Sequence, residues 1–231
     1  MTTEKTAFII GASRGLGLAL AQEYLKREWR VVATVRGSKP GALSDLAASA
    51  KGRLEIETLD VLDAAQLTSL KERLRSRRFD LLFVNAGVAN DSRETIGQVS
   101  TEEFTRVLLT NTLAPMRVIE SFAGSVPSTG TIGVMSSGLG SVADNERGGD
   151  EVYRASKAGL NTLMRSFAAR HAKDPRTLLI IAPGWIRTEM GGPNATYSIE
   201  ESIPRIVDVI TAQAGKGGLQ YLNQQGQPVR W

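Results

Sequence analysis

Two side chains with acid–base chemistry, Tyr153 and Lys157, lie four residues apart in a segment with a helical pattern. Residues at this spacing share one face of an α-helix, so both side chains can point into the same site. A free tyrosine is a poor proton donor or acceptor near neutral pH because its pKa is about 10. A neighbouring ammonium group favours the phenolate and lowers that pKa. The pair therefore predicts a general acid or base, although the same spacing also occurs on exposed helix faces.

Two serines, Ser136 and Ser137, follow the apolar segment Thr131–Met135, which precedes the helix of Tyr153. A hydroxyl at the end of a strand can donate a hydrogen bond to a substrate oxygen and hold it beside the tyrosine. The pattern alone leaves both serines open for this role.

A glycine-rich loop follows the first predicted strand and runs Gly11-Ala12-Ser13-Arg14-Gly15-Leu16-Gly17. Glycines allow a tight turn and bring bare backbone close to an anion. The helix that follows directs free N–H groups and the positive end of its dipole at a phosphate. Glycines also punctuate ordinary turns, but this loop joins the first strand to the first helix of an alternating pattern. That context predicts a dinucleotide site.

The end of the second predicted strand indicates which dinucleotide the loop would bind. In NAD-binding folds this strand usually ends in Asp or Glu, which binds the ribose hydroxyls. Here it ends Thr34-Val35-Arg36 without a carboxylate, and Arg14 lies inside the glycine loop. Two guanidinium groups can flank a ribose 2′-phosphate, because each planar fork donates two bonds at once. The sequence therefore predicts that the loop binds NADP(H) rather than NAD(H). The alternative interpretation is that Arg14 and Arg36 are two ordinary surface arginines.

Apolar, β-branched runs alternate with amphipathic stretches along the chain. Strands are predicted at Thr6–Ile10, Arg30–Val35, 54–59, Leu81–Val84, Thr131–Met135, 178–182 and, in a weaker pattern, 218–222. Helices are predicted at 16–28, 42–50, 64–77, 101–122, 151–171 and 199–212. This alternation is typical of an α/β fold. We expect a Rossmann-type doubly wound parallel sheet of about seven strands with helices on both faces, in one domain over residues 1–231.

The spacing Gly-x-x-x-Gly-x-Gly, together with Tyr153 and Lys157, resembles the short-chain dehydrogenase/reductase family. The resemblance covers nearly the whole chain, and its last residues, 220–231, look like the C-factor and sniffer-like carbonyl reductase branch. Ile10 departs from the family, whose members usually have Thr before the first glycine. The resemblance implies an NADP(H)-dependent oxidoreductase that moves a hydride between nicotinamide and a small carbonyl or alcohol substrate.

The resemblance also implies the residues that contact the cofactor. Asp60 and Val61 would lie near the adenine, and small residues at 85–87 would let the cofactor lie close to the backbone. Thr188, soon after Pro-Gly at 183–184, would contact the nicotinamide end. The full set is Gly11, Ser13, Arg14, Gly15, Leu16, Gly17, Arg36, Asp60, Val61, Asn85, Ala86, Gly87, Tyr153, Lys157, Pro183, Gly184, Ile186 and Thr188.

The family pattern matches four catalytic positions in this sequence, Asn111, Ser137, Tyr153 and Lys157. Ser137 matches the substrate-binding serine better than Ser136. Asn111 would hold a water that links Lys157 to solvent. The polar, glycine-rich segment 144–150 is expected at the rim of the active site, and residues 189–198 resemble a mobile substrate lid.

The composition excludes several kinds of site. The chain has no cysteine and a single histidine, His171. A thiolate nucleophile, a cysteine-ligated zinc, a histidine-rich metal site and a Ser-His-Asp triad are therefore not expected. The net charge of +4 comes without a groove-reading motif, so nucleic-acid binding is not predicted.

No apolar run reaches the ~20 residues that span a bilayer, and residues 1–5 do not resemble a secretory signal, so a cytoplasmic protein is expected. The family resemblance implies a homo-oligomer formed through the helices that contain Asn111 and Tyr153. Two alternative functions stay open. One is a signalling or sensor protein of the C-factor type that binds NADP(H) with incidental turnover. The other is an epimerase or dehydratase, for which the brief C-terminal region leaves little room.

Overall fold

A computed structural model describes residues 4–37 and 41–231. The strands are β1 (Thr6–Ile10), β2 (Arg30–Val35), β3 (Leu54–Thr58), β4 (Leu81–Val84), β5 (Thr131–Met135), β6 (Thr177–Ala182) and β7 (Gly218–Asn223). The helices are α1 (Gly15–Lys26), α2 (Ala42–Ser49), α3 (Ala64–Arg73), α4 (Thr101–Leu108), α5 (Ala114–Phe122), α6 (Glu151–Arg170) and α7 (Ile199–Gln213). The alternation predicted from the sequence is confirmed.

The seven strands form one sheet in the order β3-β2-β1-β4-β5-β6-β7. Every neighbouring pair is parallel. The carboxyl ends of all strands therefore lie at one edge of the sheet. The strand order reverses between β1 and β4, and this switch point opens the crevice in which doubly wound sheets bind ligands. The predicted fold class is confirmed.

Strand alternation creates an apolar layer on each face of the sheet. In β1, Phe8 and Ile10 belong to the cluster that packs under α3, α5 and α6, whereas Ala7 and Ile9 belong to the cluster under α1, α2 and α7. Successive side chains of a strand point to opposite faces, so a fully apolar strand serves two layers at once. This is why the strands read as continuous apolar runs in the sequence.

The predicted helix 101–122 is interrupted by one π-helical turn, Leu109–Leu113, between α4 and α5. Pro115 lies in the first turn of α5 and has no N–H, so it cannot donate to the carbonyl of Asn111, four residues earlier. The wide turn is seen in the bond from Ala114 N–H to Leu109 O, five residues earlier. π-Helical turns inside α-helices often mark functional sites.

Other boundaries differ from the prediction by a few residues. α1 ends at Lys26 because Glu28 adopts the left-handed conformation, with φ of 63°. α3 ends at Arg73, before the run of arginines at 75–78. β7 extends to Asn223, which pairs with Ala182. No helix in the described ranges has the length and apolar character needed to cross a membrane.

Candidate functional site

The glycine loop packs so closely against the end of β4 that two of its positions exclude a side chain. Gly11 has φ of +85°, and a Cβ there would lie 2.8 Å from Ala86. A Cβ on Gly17 would lie 2.0 Å from the carbonyl oxygen of Gly11 and 2.6 Å from Nδ2 of Asn85. Real Cβ atoms do not approach so closely, so positions 11 and 17 require glycine. The loop thus holds the start of α1 tightly against the ends of β1 and β4.

The amino end of α1 is open toward solvent. Arg14 occupies the N-cap with extended backbone, yet its side chain makes no capping bond, and the first turn contains no acidic residue. Gly15 has φ of +56°, and a Cβ there would meet nothing within 4 Å. Free N–H groups at a helix start bind anions, and the helix dipole favours negative charge there. The loop therefore fits a phosphate-bearing ligand, as its sequence predicts.

Thr34 and Asn85 hold the loop in place. The hydroxyl of Thr34 accepts a hydrogen bond from Gly11 N–H at 2.9 Å, and its carbonyl accepts one from Ala12 N–H at 2.8 Å. Nδ2 of Asn85 donates to the carbonyl of Gly11 at 2.8 Å. Thr34 was not singled out from the sequence. A threonine inside an otherwise apolar strand is the signal that marks it.

The two arginines predicted to recognise a 2′-phosphate lie at the same edge of the sheet. Arg36 is exposed directly after β2, and Arg14 follows β1, the neighbouring strand. The guanidinium group of Arg14 pairs with Glu189 at 2.8 Å, and both side chains are about three-quarters exposed. An ion pair so exposed contributes little free energy, so a ligand phosphate can compete with it.

The remaining predicted cofactor positions also lie at the carboxyl edge. Asp60 follows β3 and accepts a hydrogen bond from Leu62 N–H at 3.0 Å, next to half-buried Val61. Gly87 follows β4, where a Cβ would lie 3.4 Å from both Oδ1 of Asn111 and Nζ of Lys157. This contact connects the end of β4 with two of the predicted catalytic residues. The flanking members of the predicted set are exposed Ser13, half-buried Leu16 and half-buried Ala86.

The structure brings Tyr153 and Ser137 together. The Ser137 hydroxyl lies close enough to the Tyr153 phenol to favour its ionisation, whereas the Ser136 hydroxyl is buried and donates to Oδ1 of Asn161 at 2.7 Å. Burial raises the pKa of Tyr153 to about 12, and the neighbouring Ser137 hydroxyl opposes this rise. The geometry therefore favours Ser137 over Ser136 as the partner of the tyrosine.

Lys157 lies beneath the tyrosine and is buried. Its Nζ donates to the carbonyl of Met135 at 2.9 Å and lies 5.6 Å from the centre of the Tyr153 ring. Burial lowers the pKa of Lys157 to about 8. The spacing of the two residues predicts that the ammonium group lowers the pKa of Tyr153. That expectation is wrong for this structure, because removal from water outweighs other influences on the tyrosine.

Asn111 lies in the π-helical turn and is fully buried. Its Nδ2 donates to the carbonyl of Val88 at 2.7 Å and to the hydroxyl of Ser156 at 2.9 Å, while Oδ1 accepts from Val88 N–H at 2.8 Å. Both amide hydrogens are therefore used within the protein. The second lone pair of Oδ1 remains as an acceptor for a water.

Tyr221 of β7 is a site residue that the sequence analysis missed. Its hydroxyl donates a hydrogen bond to the carbonyl of Ser137. The Trp231 ring packs edge-on against Tyr221 at 5.6 Å, and Arg165 covers the indole at 4.7 Å. The last strand thus supports the backbone of the serine. No spacing or motif in the sequence connects positions 137 and 221.

The segment after β6 forms a loop that is closed at its base. Ile186 pairs with Tyr197 as an isolated parallel bridge, with hydrogen bonds from Arg187 N–H to Tyr197 O at 2.8 Å and from Tyr197 N–H to Trp185 O at 3.1 Å. This segment contains four of the predicted cofactor contacts. Pro183 and Ile186 are buried, and Gly184 has φ of 86°. The hydroxyl of Thr188 accepts a hydrogen bond from Gly191 N–H at 3.0 Å.

Solved structures of other proteins share this architecture over almost their entire length. A short-chain dehydrogenase/reductase from Burkholderia multivorans with bound NADP is 55% identical, with a TM-score of 0.97, and the match covers 99% of this chain and 100% of that one. A carbonyl reductase from Pseudomonas aeruginosa PAO1 in complex with NADP is 35% identical, with a TM-score of 0.92 and coverage of 99% and 100%.

Sequence comparison agrees with these structural matches. The C-signal protein of Myxococcus xanthus is 30% identical over 154 residues, which are 66% of this chain and 92% of that protein. These relatives confirm the predicted resemblance to the C-factor and carbonyl reductase branch. The sequence profile described as short chain dehydrogenase matches residues 5–197, most of the chain. The chain therefore belongs to the short-chain dehydrogenase/reductase family.

Proposed function

We propose that this protein, as a single domain, is an NADP(H)-dependent oxidoreductase that interconverts a small carbonyl compound and its alcohol. The observation that carries this proposal is the convergence of Tyr153, Ser137 and buried Lys157, whose Nζ lies 5.6 Å from the centre of the Tyr153 ring. These groups lie at the same edge of the sheet as the glycine loop. A proton donor and an oxygen-binding hydroxyl thus lie beside a site suited to a dinucleotide.

The choice of NADP(H) rests on charge at the end of β2 and on two relatives. The Burkholderia and Pseudomonas structures were solved with NADP. In this chain, Arg36 follows β2 where a carboxylate would repel a 2′-phosphate, and Arg14 lies in the loop. The bound nicotinamide supplies the hydride. Gly15 and the amino end of α1 would hold the pyrophosphate.

The residues around Tyr153 suit proton transfer to a developing alkoxide. With a pKa of about 12, the Tyr153 hydroxyl is protonated throughout the neutral range and can act as the acid of carbonyl reduction. Ser137 would hold the substrate oxygen by donating a hydrogen bond. Lys157 and a water held by Asn111 would return a proton to the tyrosine. Nζ of Lys157 and Oδ1 of Asn111 lie near each other, because each is 3.4 Å from the position that a Cβ on Gly87 would occupy.

A second candidate is a signalling protein that binds NADP(H) with incidental turnover. Similarity to the C-signal protein favours it. The complete set of Ser137, Tyr153 and Lys157 argues against a purely binding role, because a sensor does not need a buried proton donor beside a substrate-binding hydroxyl.

Self-association is proposed from the exposed apolar side chains on two helices that pack together. Phe104 of α4, Leu109 of the π-helical turn and Leu163 of α6 are each 37–39% exposed. Exposed apolar groups on neighbouring helices are suited to burial in a contact with a second copy. The family resemblance implies the same helices.

Tyr153→Phe should reduce kcat for NADPH-dependent carbonyl reduction by at least about a hundredfold, because the ring stays while the proton donor is lost. NADPH binding, followed by fluorescence, should change little. Tyr24→Phe is the control, since the Tyr24 hydroxyl is buried without a partner in the described structure, away from the site. A wild-type protein that reduces none of a panel of aldehydes, ketones and quinones would favour the signalling function.

Arg36→Ser should raise the Kd for NADPH about tenfold and leave the Kd for NADH nearly unchanged, because one charge-assisted hydrogen bond to the 2′-phosphate is lost. Titration calorimetry measures both constants. Arg78→Ser, another exposed arginine that lies beyond α3, is the matched control. Equal weakening of both cofactors by Arg36→Ser would contradict recognition of the 2′-phosphate.

The free energy of unfolding should rise with pH between about 8 and 10.5 because of Lys157. In this window the folded protein has released the lysine proton while the unfolded chain still binds it, and stability rises wherever the unfolded state binds more protons. Lys157→Met should flatten the rise in urea unfolding experiments, and Lys173→Met, at an exposed position, should keep it. An unchanged slope in Lys157→Met would show that burial of this amine is not the cause.

Leu163→Arg should shift the protein toward the monomer in size-exclusion chromatography with light scattering, since a charge in the contact would be desolvated without a partner. Leu62→Arg places the same charge at another exposed leucine and should leave the assembly unchanged. If the wild-type protein is itself monomeric at micromolar concentration, the proposed association is wrong.

A further inference from the structure

A short 3₁₀ turn, Gly138–Gly140, directly follows Ser137, and residues 137–140 together form the serine turn. Leu139 N–H donates to the hydroxyl oxygen of Ser137 at 3.1 Å, and Gly140 N–H donates to the Ser137 carbonyl at 2.9 Å. The hydroxyl oxygen accepts the first of these bonds, so its hydrogen can still be donated to a substrate oxygen. The direction of the hydroxyl therefore depends on the geometry of the serine turn.

The serine turn packs tightly against α6 beside Lys157. A Cβ on Gly140 would lie 2.9 Å from Nδ2 of Asn161 and 3.0 Å from Cβ of Lys157. Nδ2 of Asn161 donates to the Gly140 carbonyl at 3.2 Å, and Oδ1 of the same side chain accepts the bond from Ser136. The helix that carries Tyr153 and Lys157 thus makes the first attachment to the turn.

Tyr221 of β7 makes the second attachment. Its hydroxyl donates to the Ser137 carbonyl, which also accepts from Gly140 N–H and so has both lone pairs in use. Burial is the main cause of the raised pKa of Tyr153, and Tyr221 lies near enough to that phenol to add to the rise. The Tyr221 hydroxyl therefore bonds the backbone of one proposed site residue and lies near the side chain of another.

Residues 227–231, the returning segment, fold back along β7 and contact Tyr221. Val229 N–H donates to the Tyr221 carbonyl at 2.9 Å. The Trp231 indole contacts both the Tyr221 ring and the guanidinium group of Arg165. Aromatic rings that meet edge to face prefer a defined mutual orientation. These contacts restrict where the Tyr221 hydroxyl can lie.

The returning segment also attaches to residues that follow the serine turn. Ala143 N–H donates to the Trp231 carbonyl at 2.9 Å, and Nε of Arg230 donates to Oδ1 of Asp144 at 2.6 Å. The Arg230 side chain is 66% exposed, so its ion pair contributes little compared with the backbone bond and the indole. Residues 137–144 are therefore held near both ends by one part of the chain, 221–231.

We propose that Tyr221 is a positioning residue for carbonyl reduction. Its hydroxyl fixes the Ser137 carbonyl, and the serine turn then directs the Ser137 hydroxyl at the substrate oxygen. Trp231 acts one step further away, because it holds the Tyr221 ring. A displacement of about 1 Å in a reacting geometry can cost about a hundredfold in rate, so one hydrogen bond outside the reacting atoms can matter. This inference rests on the proposed carbonyl reduction.

Tyr221→Phe tests the inference, because it removes the hydroxyl and keeps the ring. With NADPH and 4-nitrobenzaldehyde, kcat should fall about tenfold. In a Ser137→Ala background, the same change should lower kcat less than about twofold, because the hydroxyl that Tyr221 positions is absent. A merely structural role would lower kcat equally in both backgrounds, and that result, or an unchanged kcat in Tyr221→Phe, would overturn the inference. Tyr24→Phe, at another buried tyrosine, is the control and should leave kcat unchanged.

Two variants of Trp231 test the same chain of contacts without altering the Tyr221 hydroxyl. Trp231→Ala removes the ring that contacts Tyr221 and should lower kcat about fivefold. Trp231→Phe should restore kcat to at least about half of the wild-type value, because an aromatic ring remains in contact. Equal kcat values in the two variants would contradict the role of the ring. The melting temperature of Tyr221→Phe should fall by no more than about 4 °C, since Gly140 N–H still bonds the Ser137 carbonyl.

Amide hydrogen exchange reports on the serine turn without turnover. In Tyr221→Phe, the N–H groups of Leu139 and Gly140 should exchange about tenfold faster, because the turn opens more often without its second attachment, and exchange in α1 should not change. If the wild type reduces no aldehyde, carbonyl reduction is wrong, and exchange alone decides whether Tyr221 holds Ser137. Faster exchange at the two amides would then still support the positioning role, and unchanged exchange would overturn it.

Discussion

The close approach of β1, β4 and α1 is the constraint on which the rest of the site depends. Gly17 can lie over Gly11 only because neither carries a side chain, and a Cβ on Gly17 would lie 2.0 Å from the Gly11 carbonyl. Asn85 then bonds that carbonyl and ties the loop to the end of β4. As a result, the amino end of α1, which has no side-chain cap, lies at the crevice of the parallel sheet and is open to a phosphate.

Burial determines the electrostatics on the other side of this crevice. Tyr153 and Lys157 lie on one helix face, yet desolvation moves their pKa values to about 12 and about 8. Both shifts disfavour the charged form, as expected for groups removed from water. The site is thus organised around a neutral phenol beside Ser137 and an amine that the Met135 carbonyl holds in place.

The last strand gives the site its third wall. Tyr221 bonds the backbone of Ser137 and thereby helps to set the position of the serine.

The sequence by itself determined the strand and helix order, the glycine loop, the Tyr153–Lys157 pair and the absence of a carboxylate after β2, because each is a local pattern. Only the tertiary structure shows that Ser137 lies beside Tyr153 while the Ser136 hydroxyl bonds Asn161, because packing between distant segments selects which of two adjacent serines meets the tyrosine. The same holds for the pKa of Tyr153, the π-helical turn at Asn111 and the contacts of Tyr221. Burial and contacts between residues distant along the chain depend on how the strands assemble, and no spacing in the sequence encodes them.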